Sequence, residues 1–254
     1  MRKGKLFGVI VAAFIASATL SATPVQAIWG GRQAELQDAP GIVSVHTIKG
    51  GCAGVLVWPS WALTAKHCFN AYEDKPNVRG GTLSENRKGK SVDGDRVYRH
   101  SDADLALVHL ESPLEGIATA ELPTSQSQVE AGTIITAAGW GYIDSARSKF
   151  PQVLQATTFP ACDPGLYFDT VQGSTRHPNL IVGLGENTGV MRGDSGGPMY
   201  VNGKLVAITK GGKSWSELET GNKTDRESDT RFSVGVRVAP YAEWILDVVA
   251  NHND

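Results

Sequence analysis

Short runs rich in β-branched residues recur along the chain, and each is ended by Gly, Pro, Asn or Asp. This pattern is typical of β-strands joined by tight turns. The runs that predict strands are residues 42–48, 54–58, 105–110, 133–137, 204–209 and 232–238. Only the end of the chain has a helical pattern, because after Pro240 the apolar side chains recur every three or four residues, at Tyr241, Trp244, Ile245, Val248 and Val249. The sequence therefore predicts a mostly β fold with one terminal helix.

Two polar segments interrupt this pattern. Residues 121–132 contain Pro, Ser and Gln with few apolar side chains, which predicts a crossover between two halves of the chain. Residues 211–231 are the longest polar and charged stretch and predict a surface loop. We place the first half at about residues 28–122, the second at about residues 133–238 and the helix at about residues 239–250.

The first 27 residues have the organisation of a secretory signal peptide. Basic residues at positions 2, 3 and 5 precede an apolar stretch from Leu6 to Ala16, and the small residue Ala27 ends the segment where signal peptidase would cut. An uncleaved anchor is the alternative, but the stretch is shorter than the roughly 20 residues of a membrane-spanning helix. We expect a secreted chain that begins at Ile28 and has no membrane anchor. Cleavage after Ala18 would instead leave an extension ahead of Ile28.

Composition excludes several classes of protein. Hydrophobic residues make up 41% of the chain, enough for a packed core, and the 29 Gly and 12 Pro follow no short period, which excludes collagen. The 24 basic and 26 acidic residues are interspersed, so no nucleic-acid-binding patch is predicted. The sequence has no metal-binding cluster, phosphate loop or cofactor motif. We expect neither a metal nor a cofactor.

One serine stands among small residues, in the segment Gly193-Asp194-Ser195-Gly196-Gly197-Pro198. Small residues permit sharp turns and let backbone N–H groups approach a reacting carbonyl, so Ser195 is a candidate nucleophile. The nucleophile of α/β-hydrolases also has the pattern Gly-x-Ser-x-Gly, but there an acid and a histidine follow the serine. Only His252 follows Ser195, which disfavours a secreted esterase of that fold. His67 and Asp104 precede Ser195, in the order His, Asp, Ser.

Several blocks of the chain resemble the trypsin/chymotrypsin family of serine proteases. The run from Cys52 to Cys68, which ends in Leu-Thr-Ala-Lys-His-Cys, resembles the first-barrel block of that family. Further similar blocks are Ile28-Trp-Gly-Gly, Asp104-Leu-Ala-Leu-Val, Gly139-Trp-Gly and the Ser195 segment. The resemblance implies an all-β fold of two six-stranded antiparallel β-barrels with a C-terminal α-helix. It also implies a monomer whose catalytic residues lie in the cleft between the barrels.

The resemblance implies a role for each residue of the site. His67 is the general base, Asp104 orients it, and Ser195 is the nucleophile. The backbone N–H groups of Gly193 and Ser195 form the oxyanion hole. Asp102 competes with Asp104 because a strand would point both side chains the same way; we prefer Asp104, which Leu-Ala-Leu-Val follows directly. Mutating each to Asn discriminates between them.

The N-terminus of the mature chain has its own implied role. In the family, the free α-amino group of the first residue pairs with the aspartate that precedes the nucleophile, here Ile28 with Asp194. The residue before Ile28 is Ala27, not Lys or Arg. We therefore expect removal of the signal peptide to produce the active N-terminus.

Three cysteines in an exported chain allow at most one intramolecular disulfide. Cys52 and Cys68 lie 16 residues apart and flank two strand-like runs, so they are the expected pair. Cys162 is left over. It is either a buried free thiol that packs as a small hydrophobe or a reactive or intermolecular thiol.

The residues expected to line the substrate pocket depart from those of trypsin. Gly189 stands six residues before the nucleophile, where an aspartate selects Lys or Arg in the P1 residue, which precedes the scissile bond. Val190 follows it, Arg192 lies near the rim, and Thr209-Lys210-Gly211 replaces the usual Ser-Trp-Gly. We expect an apolar or small P1 residue, with an acidic one as the second choice because of Lys210 and Arg192.

Two functions of different classes follow from these patterns. The first is a secreted serine endopeptidase that cleaves proteins or peptides. The second is a catalytically silent binding protein on the same scaffold, which the unusual pocket alone supports. Hydrolysis of an amide bond discriminates between them.

Overall fold

The computed structural model describes residues 28–70, 75–124, 129–144, 147–170, 179–214 and 230–252. Within these ranges the chain forms thirteen β-strands and two α-helices. The predicted signal peptide, residues 1–27, lies outside the described residues, as do residues 125–128 of the predicted crossover and residues 215–229 of the predicted loop.

Six antiparallel strands close the first barrel. They are β2 (Ile42–Thr47), β3 (Gly50–Trp58), β4 (Trp61–Thr64), β5 (Asn77–Gly80), β6 (Lys90–Arg99) and β7 (Ala106–Leu110). Neighbours pair in the order β2-β3-β4-β7-β6-β5, and β5 pairs back to β2. Val45, Val55, Leu63 and Leu107 are completely buried, and burying this apolar surface stabilises the barrel.

A second group of six antiparallel strands closes in the same way. They are β8 (Ile134–Gly139), β9 (Gln155–Cys162), β10 (Leu180–Glu186), β11 (Pro198–Val201), β12 (Lys204–Ser214) and β13 (Thr230–Arg237). The order is β9-β10-β13-β12-β11-β8, and β8 also pairs with β9. The short strand β1 (Arg32–Gln33) adds to the outside of β9. The predicted fold of two six-stranded antiparallel barrels is confirmed.

The terminal helix packs on the first barrel, although it follows the last strand of the second. Helix α2 (Ala242–Asn251) begins after a 3₁₀ turn that contains Pro240, and its Ile245, Val248 and Val249 are buried. His252, just past its end, stacks on Tyr98 of β6 with ring centroids 4.6 Å apart. Among the described residues, neither helix combines the length and apolar character that crossing a bilayer requires.

One prediction from the sequence pattern is wrong, and the bounds of another are wrong. The terminal helix is not the only one, because Pro164–Thr170 forms helix α1 between β9 and β10. The predicted loop at residues 211–231 is strand at both ends, because β12 runs to Ser214 and β13 begins at Thr230. Ser214 pairs with Arg231, so ladder hydrogen bonds override the polar composition of these ends.

The predicted disulfide is confirmed, and it joins β3 to a 3₁₀ turn. The sulfurs of Cys52 and Cys68 are 2.07 Å apart, and Cys68 ends the 3₁₀ turn Lys66–Cys68. Cys162 is free and half-buried. Burial and the neighbouring Asp163 carboxylate raise the pKa of its thiol to about 11. The thiol is therefore protonated near neutral pH, and this favours a packing role over a reactive one.

Replacing both Cys52 and Cys68 by Ser should lower the free energy of unfolding by about 3 kcal/mol, because the unfolded chain regains the entropy of an open loop. Equilibrium unfolding in guanidinium chloride measures this loss. Cys162→Ser is the matched control, with an expected change below about 1 kcal/mol. A double variant as stable as the control would contradict the prediction.

Candidate active site

Strand pairing in the first barrel brings His67 and Asp104 together. His67 lies in the 3₁₀ turn after β4, and Asp104 lies just before β7. These two strands pair so that Thr64 lies opposite Ala106. The His67 ring Nδ1 is 2.8 Å from one Asp104 carboxylate oxygen, and the His67 backbone N–H donates to the other at 2.9 Å. A carboxylate only accepts, so Nδ1 carries the hydrogen and Nε2 of the neutral ring is left as an acceptor.

The Asp104 carboxyl is held in its charged form. Burial alone would raise its pKa, but the hydrogen bonds from His67 and the positive charge of Lys210 outweigh burial and lower it. Asp102, the competing residue, is exposed and accepts a hydrogen bond from the Ser101 hydroxyl at 2.9 Å. The structure thus places Asp104, rather than Asp102, on His67.

The turn that carries Ser195 packs directly on the first barrel. The Ser195 carbonyl accepts a hydrogen bond from the Ala53 N–H of β3 at 2.8 Å. Gly196 has φ +82°, and a Cβ there would lie 2.1 Å from Thr64 Oγ1 and 2.2 Å from the Ala53 carbonyl oxygen. Only glycine fits this approach. Ala53 follows Cys52, and the disulfide joins Cys52 to Cys68, the residue after His67. Ser195 is therefore connected to His67 through one backbone hydrogen bond and one disulfide, which form a short and rigid path.

The backbone N–H groups of Gly193 and Ser195 have no acceptor among the described residues. The Arg192 carbonyl accepts the Tyr142 N–H at 3.0 Å, and the Gly193 N–H lies on the opposite side of the same trans peptide, so it points away from Tyr142. In the described part of the chain, neither the Gly193 nor the Ser195 N–H donates to a protein group. Such a pair of donors can stabilise an oxygen that develops negative charge.

Asp194 is a buried carboxylate that holds the backbone before Ser195. It accepts N–H bonds from Gly141 and Met191, both at 2.7 Å. A Cβ on Gly141 would lie 2.6 Å from the Asp194 carboxyl carbon, so glycine is required there. Burial raises the pKa of this carboxyl to about 7, although the two hydrogen bonds and the charge of Arg231 act to lower it.

Ile28 lies in the interior close to the segment that leads to Asp194. Its side chain is completely buried, and the carbonyl of the next residue, Trp29, accepts the Gly189 N–H at 3.1 Å. Gly189 is two residues before Met191, whose N–H binds the Asp194 carboxylate. The start of the described chain is therefore packed against the backbone that positions Asp194.

The predicted pocket residues divide into a buried and an exposed group. Val190 and Thr209 are completely buried, whereas Arg192 and Lys210 are exposed. Lys210 is the bulged residue of β12, because its neighbours Thr209 and Gly211 pair with Gly235 and Val234 and leave it unpaired in the ladder. Lys210 also borders a cavity of about 380 Å³, whose lining residues include His67, Phe69, Arg99 and Asp104. Gly189 and Gly211 both have φ +154°.

His100 is a residue of this site that the sequence did not indicate, because no motif surrounds it. Its Nδ1 accepts the backbone N–H groups of Asp102 at 3.1 Å and Ala103 at 2.9 Å, which shapes the turn ahead of Asp104. Its ring packs edge-on against Tyr241 and Trp244, with centroids 4.8 and 5.0 Å away. Burial, with a smaller contribution from the Lys66 charge, lowers its pKa against the opposing effect of Asp102, so the neutral ring is favoured.

Arg231 is the second residue that sequence analysis missed. It falls at the end of the predicted surface loop, yet only 2% of it is exposed. Its position just before the predicted strand at residues 232–238 is the one signal that it would be strand.

Among the described residues, no three His, Cys, Asp or Glu side chains are grouped as metal ligands.

Comparison with known proteins gives one family. The family model described as Trypsin matches residues 28–245. The chain is 30% identical over 216 residues to the trypsin of Phaedon cochleariae, which covers 78% of this chain and 83% of that trypsin. It is 27% identical over 245 residues to prostatic glandular kallikrein-6 of Rattus norvegicus, and the match covers 87% of this chain and 89% of that kallikrein. An uncharacterized peptidase of Corynebacterium glutamicum is 28% identical over 254 residues, and the match covers 98% of this chain and 83% of that peptidase.

Substituting His100 should show whether its Nδ1 stabilises the turn before Asp104. His100→Phe keeps a ring but has no acceptor, so we expect it to lose about 1 to 3 kcal/mol of unfolding free energy. His100→Asn keeps an acceptor of similar reach and should lose less. Urea unfolding at neutral pH measures both, and equal losses would contradict the role of the acceptor.

The unfolding free energies of the parent chain and the His100 variants should also depend differently on pH. The folded-state pKa of His100 lies below its ordinary value of 6.5, so the folded chain binds fewer protons there than the unfolded chain. The contribution of His100 is present above pH 6.5 and is lost as the pH falls through the lowered pKa. The loss of stability on acidification should therefore be smaller in His100→Asn than in the parent chain.

Proposed function

Because the chain belongs to the trypsin family of serine proteases, we propose that it is a serine endopeptidase that cleaves protein or peptide substrates through an acyl-enzyme on Ser195. The single observation that carries this proposal is the contact of 2.8 Å between the His67 ring and the Asp104 carboxylate. A histidine held in this way, with Nε2 left as an acceptor, is suited to act as a general base.

In the proposed reaction His67 moves one proton in each direction. The Ser195 oxygen attacks the substrate carbonyl carbon while its proton passes to Nε2 of His67. The imidazolium then gives this proton to the leaving amine, the peptide C–N bond breaks, and an ester to Ser195 remains. Water repeats the sequence with the acyl-enzyme and releases the acid product. Asp104 stays ionised and stabilises the imidazolium throughout, which agrees with its lowered pKa.

Negative charge on the carbonyl oxygen is proposed to be held by the N–H groups of Gly193 and Ser195. Both donors lack a protein acceptor within the described residues. A single donor of this kind contributes roughly 2.7 to 4 kcal/mol of transition-state stabilisation. The Arg192 carbonyl, fixed by Tyr142, keeps the Gly193 peptide in the required orientation.

We propose that the mature chain is secreted, that residues 1–27 are its signal peptide, and that it begins at Ile28. An ammonium group on Ile28 would favour the charged form of Asp194, whose pKa of about 7 shows how poorly the other buried groups stabilise its charge. Pairing of the two would fix the turn from Met191 to Ser195 and complete the oxyanion hole. The burial of Ile28 beside this segment supports the pairing.

The substrate residue at P1 is proposed to be apolar or small. Gly189 has no carboxylate with which to bind Lys or Arg, and Val190 is apolar and buried. Lys210 and Arg192 are both exposed, and this favours solvent contact for their charges over binding of an acidic P1 side chain.

Asparagine substitutions at the two candidate aspartates test the proposed reaction. Asp104→Asn should reduce kcat/KM for a peptide amide roughly 10⁴-fold, because the amide holds the wrong tautomer of His67. Asp102→Asn is the matched control, two residues away and exposed, and should change kcat/KM by less than about twofold. Hydrolysis of a fluorogenic peptide amide measures both values.

Two results would contradict the proposal. Equal losses in the two variants would remove the assignment of Asp104. Absence of amide hydrolysis by a parent chain that begins at Ile28 would instead favour the catalytically silent binding protein.

A further inference from the structure

Arg231 lies against Gly189 and Val190, two of the residues that are expected to line the P1 pocket. It lies on β13, next to Phe232 and Ser233, and is one of the largest completely buried side chains of the described structure. An arginine is seldom buried to this extent, so its contacts show what it does in the fold.

The side chain of Arg231 contacts the predicted pocket residues Gly189 and Val190 and also Gly212, which directly follows the predicted segment Thr209-Lys210-Gly211. A Cβ placed on Gly189 would lie 3.0 Å from its Cδ and 3.2 Å from its Cγ, so the aliphatic stem covers Gly189. Its Nε donates to the Val190 carbonyl oxygen at 2.7 Å, and one terminal nitrogen donates to the Gly212 carbonyl oxygen at 3.4 Å. The guanidinium therefore ties the segment at residues 189–190 to strand β12.

The walls themselves are in contact at this depth. A Cβ on Gly212 would lie 2.8 Å from the Val190 carbonyl oxygen and 3.2 Å from a Val190 methyl carbon. The Val190 N–H also donates to the Ser233 hydroxyl at 3.1 Å. Three segments, at residues 189–190, 212 and 231–233, thus pack on one another, and the Arg231 side chain contacts the first two.

From these contacts we infer that Arg231, and not Gly189, forms the floor of the P1 pocket and restricts the enzyme to small P1 side chains such as Ala, Ser and Gly. The inference rests on the proposed function and makes its P1 preference specific. A long P1 side chain that reached towards Gly189 would meet the stem of Arg231. Lys and Arg are excluded from P1 for two reasons: their side chains are too long, and their positive charge is repelled by the guanidinium of Arg231.

The guanidinium supplies rigidity, because its hydrogen bonds run to carbonyls on both walls. A floor held in this way cannot withdraw without losing charge-assisted hydrogen bonds, each stronger than a neutral one. Arg231 therefore acts as a specificity-determining residue, although it comes later in the sequence than Ser195 and lies on strand β13.

The test is a P1 profile of the chain that begins at Ile28. Peptide amides that differ only at P1, with Ala, Ser, Leu, Phe, Glu or Lys, are compared by kcat/KM. The wild type should prefer Ala and Ser. Arg231→Ala removes the floor and should raise kcat/KM for Leu and Phe, relative to Ala, at least tenfold. Arg231→Met fills a similar volume without the charge and should retain the preference for small residues.

Arg237→Met is the matched control, a change of the same kind at the other end of β13, where Arg237 pairs with Ala207, and it should leave the profile unchanged. Ratios between substrates do not depend on how much of a variant is folded. If Arg231→Ala does not fold, the wild-type profile still decides the matter.

Three results would overturn the role of Arg231. One is a wild type that prefers Leu or Phe, another an unchanged profile in Arg231→Ala. The third is a preference for Glu that disappears in Arg231→Met, which would assign charge recognition and not volume. Failure of the wild type to cleave any peptide would instead contradict the proposed function, so the two failures are distinguishable.

Discussion

The site depends on the close contact between the Ser195 turn and the first barrel. Gly196 leaves no space between its backbone and the Ala53 carbonyl, and the Ala53 N–H binds the Ser195 carbonyl. The contact fixes the second barrel, which carries Ser195, against the first, which carries His67 and Asp104. Any side chain at Gly196 would push the barrels apart at the point where their catalytic groups are proposed to meet. The disulfide between Cys52 and Cys68 strengthens the same junction.

A second constraint is the buried charge of Asp194. Two backbone N–H groups bind its carboxylate, yet its pKa is still raised to about 7, so burying the charge is costly here. The proposed ammonium group of Ile28 would offset that cost only after residues 1–27 are removed. In the proposed activation, this one electrostatic interaction would couple processing of the chain to the geometry of Gly193.

The sequence predicted the parts of the fold whose local pattern agrees with their burial. Strand β7 is completely buried and is rich in Leu and Val, so its pattern was clear. Strand β6 was not predicted because half of its residues are exposed and polar, and it forms only through pairing with β5 and β7. The Ser195 segment was recognisable because its glycines are required by contacts that a Cβ would prevent. His100 and Arg231 act through tertiary contacts that leave no motif, and the proposed pocket floor could not be predicted for that reason.

We propose above all that Ser195 is a nucleophile activated by His67. Intact mass spectrometry of the chain that begins at Ile28, before and after treatment with a fluorophosphonate probe, tests it most directly. We expect one probe to add to the wild type and none to Ser195→Ala. A wild type whose mass does not change, or a Ser195→Ala variant that is labelled equally, would contradict it.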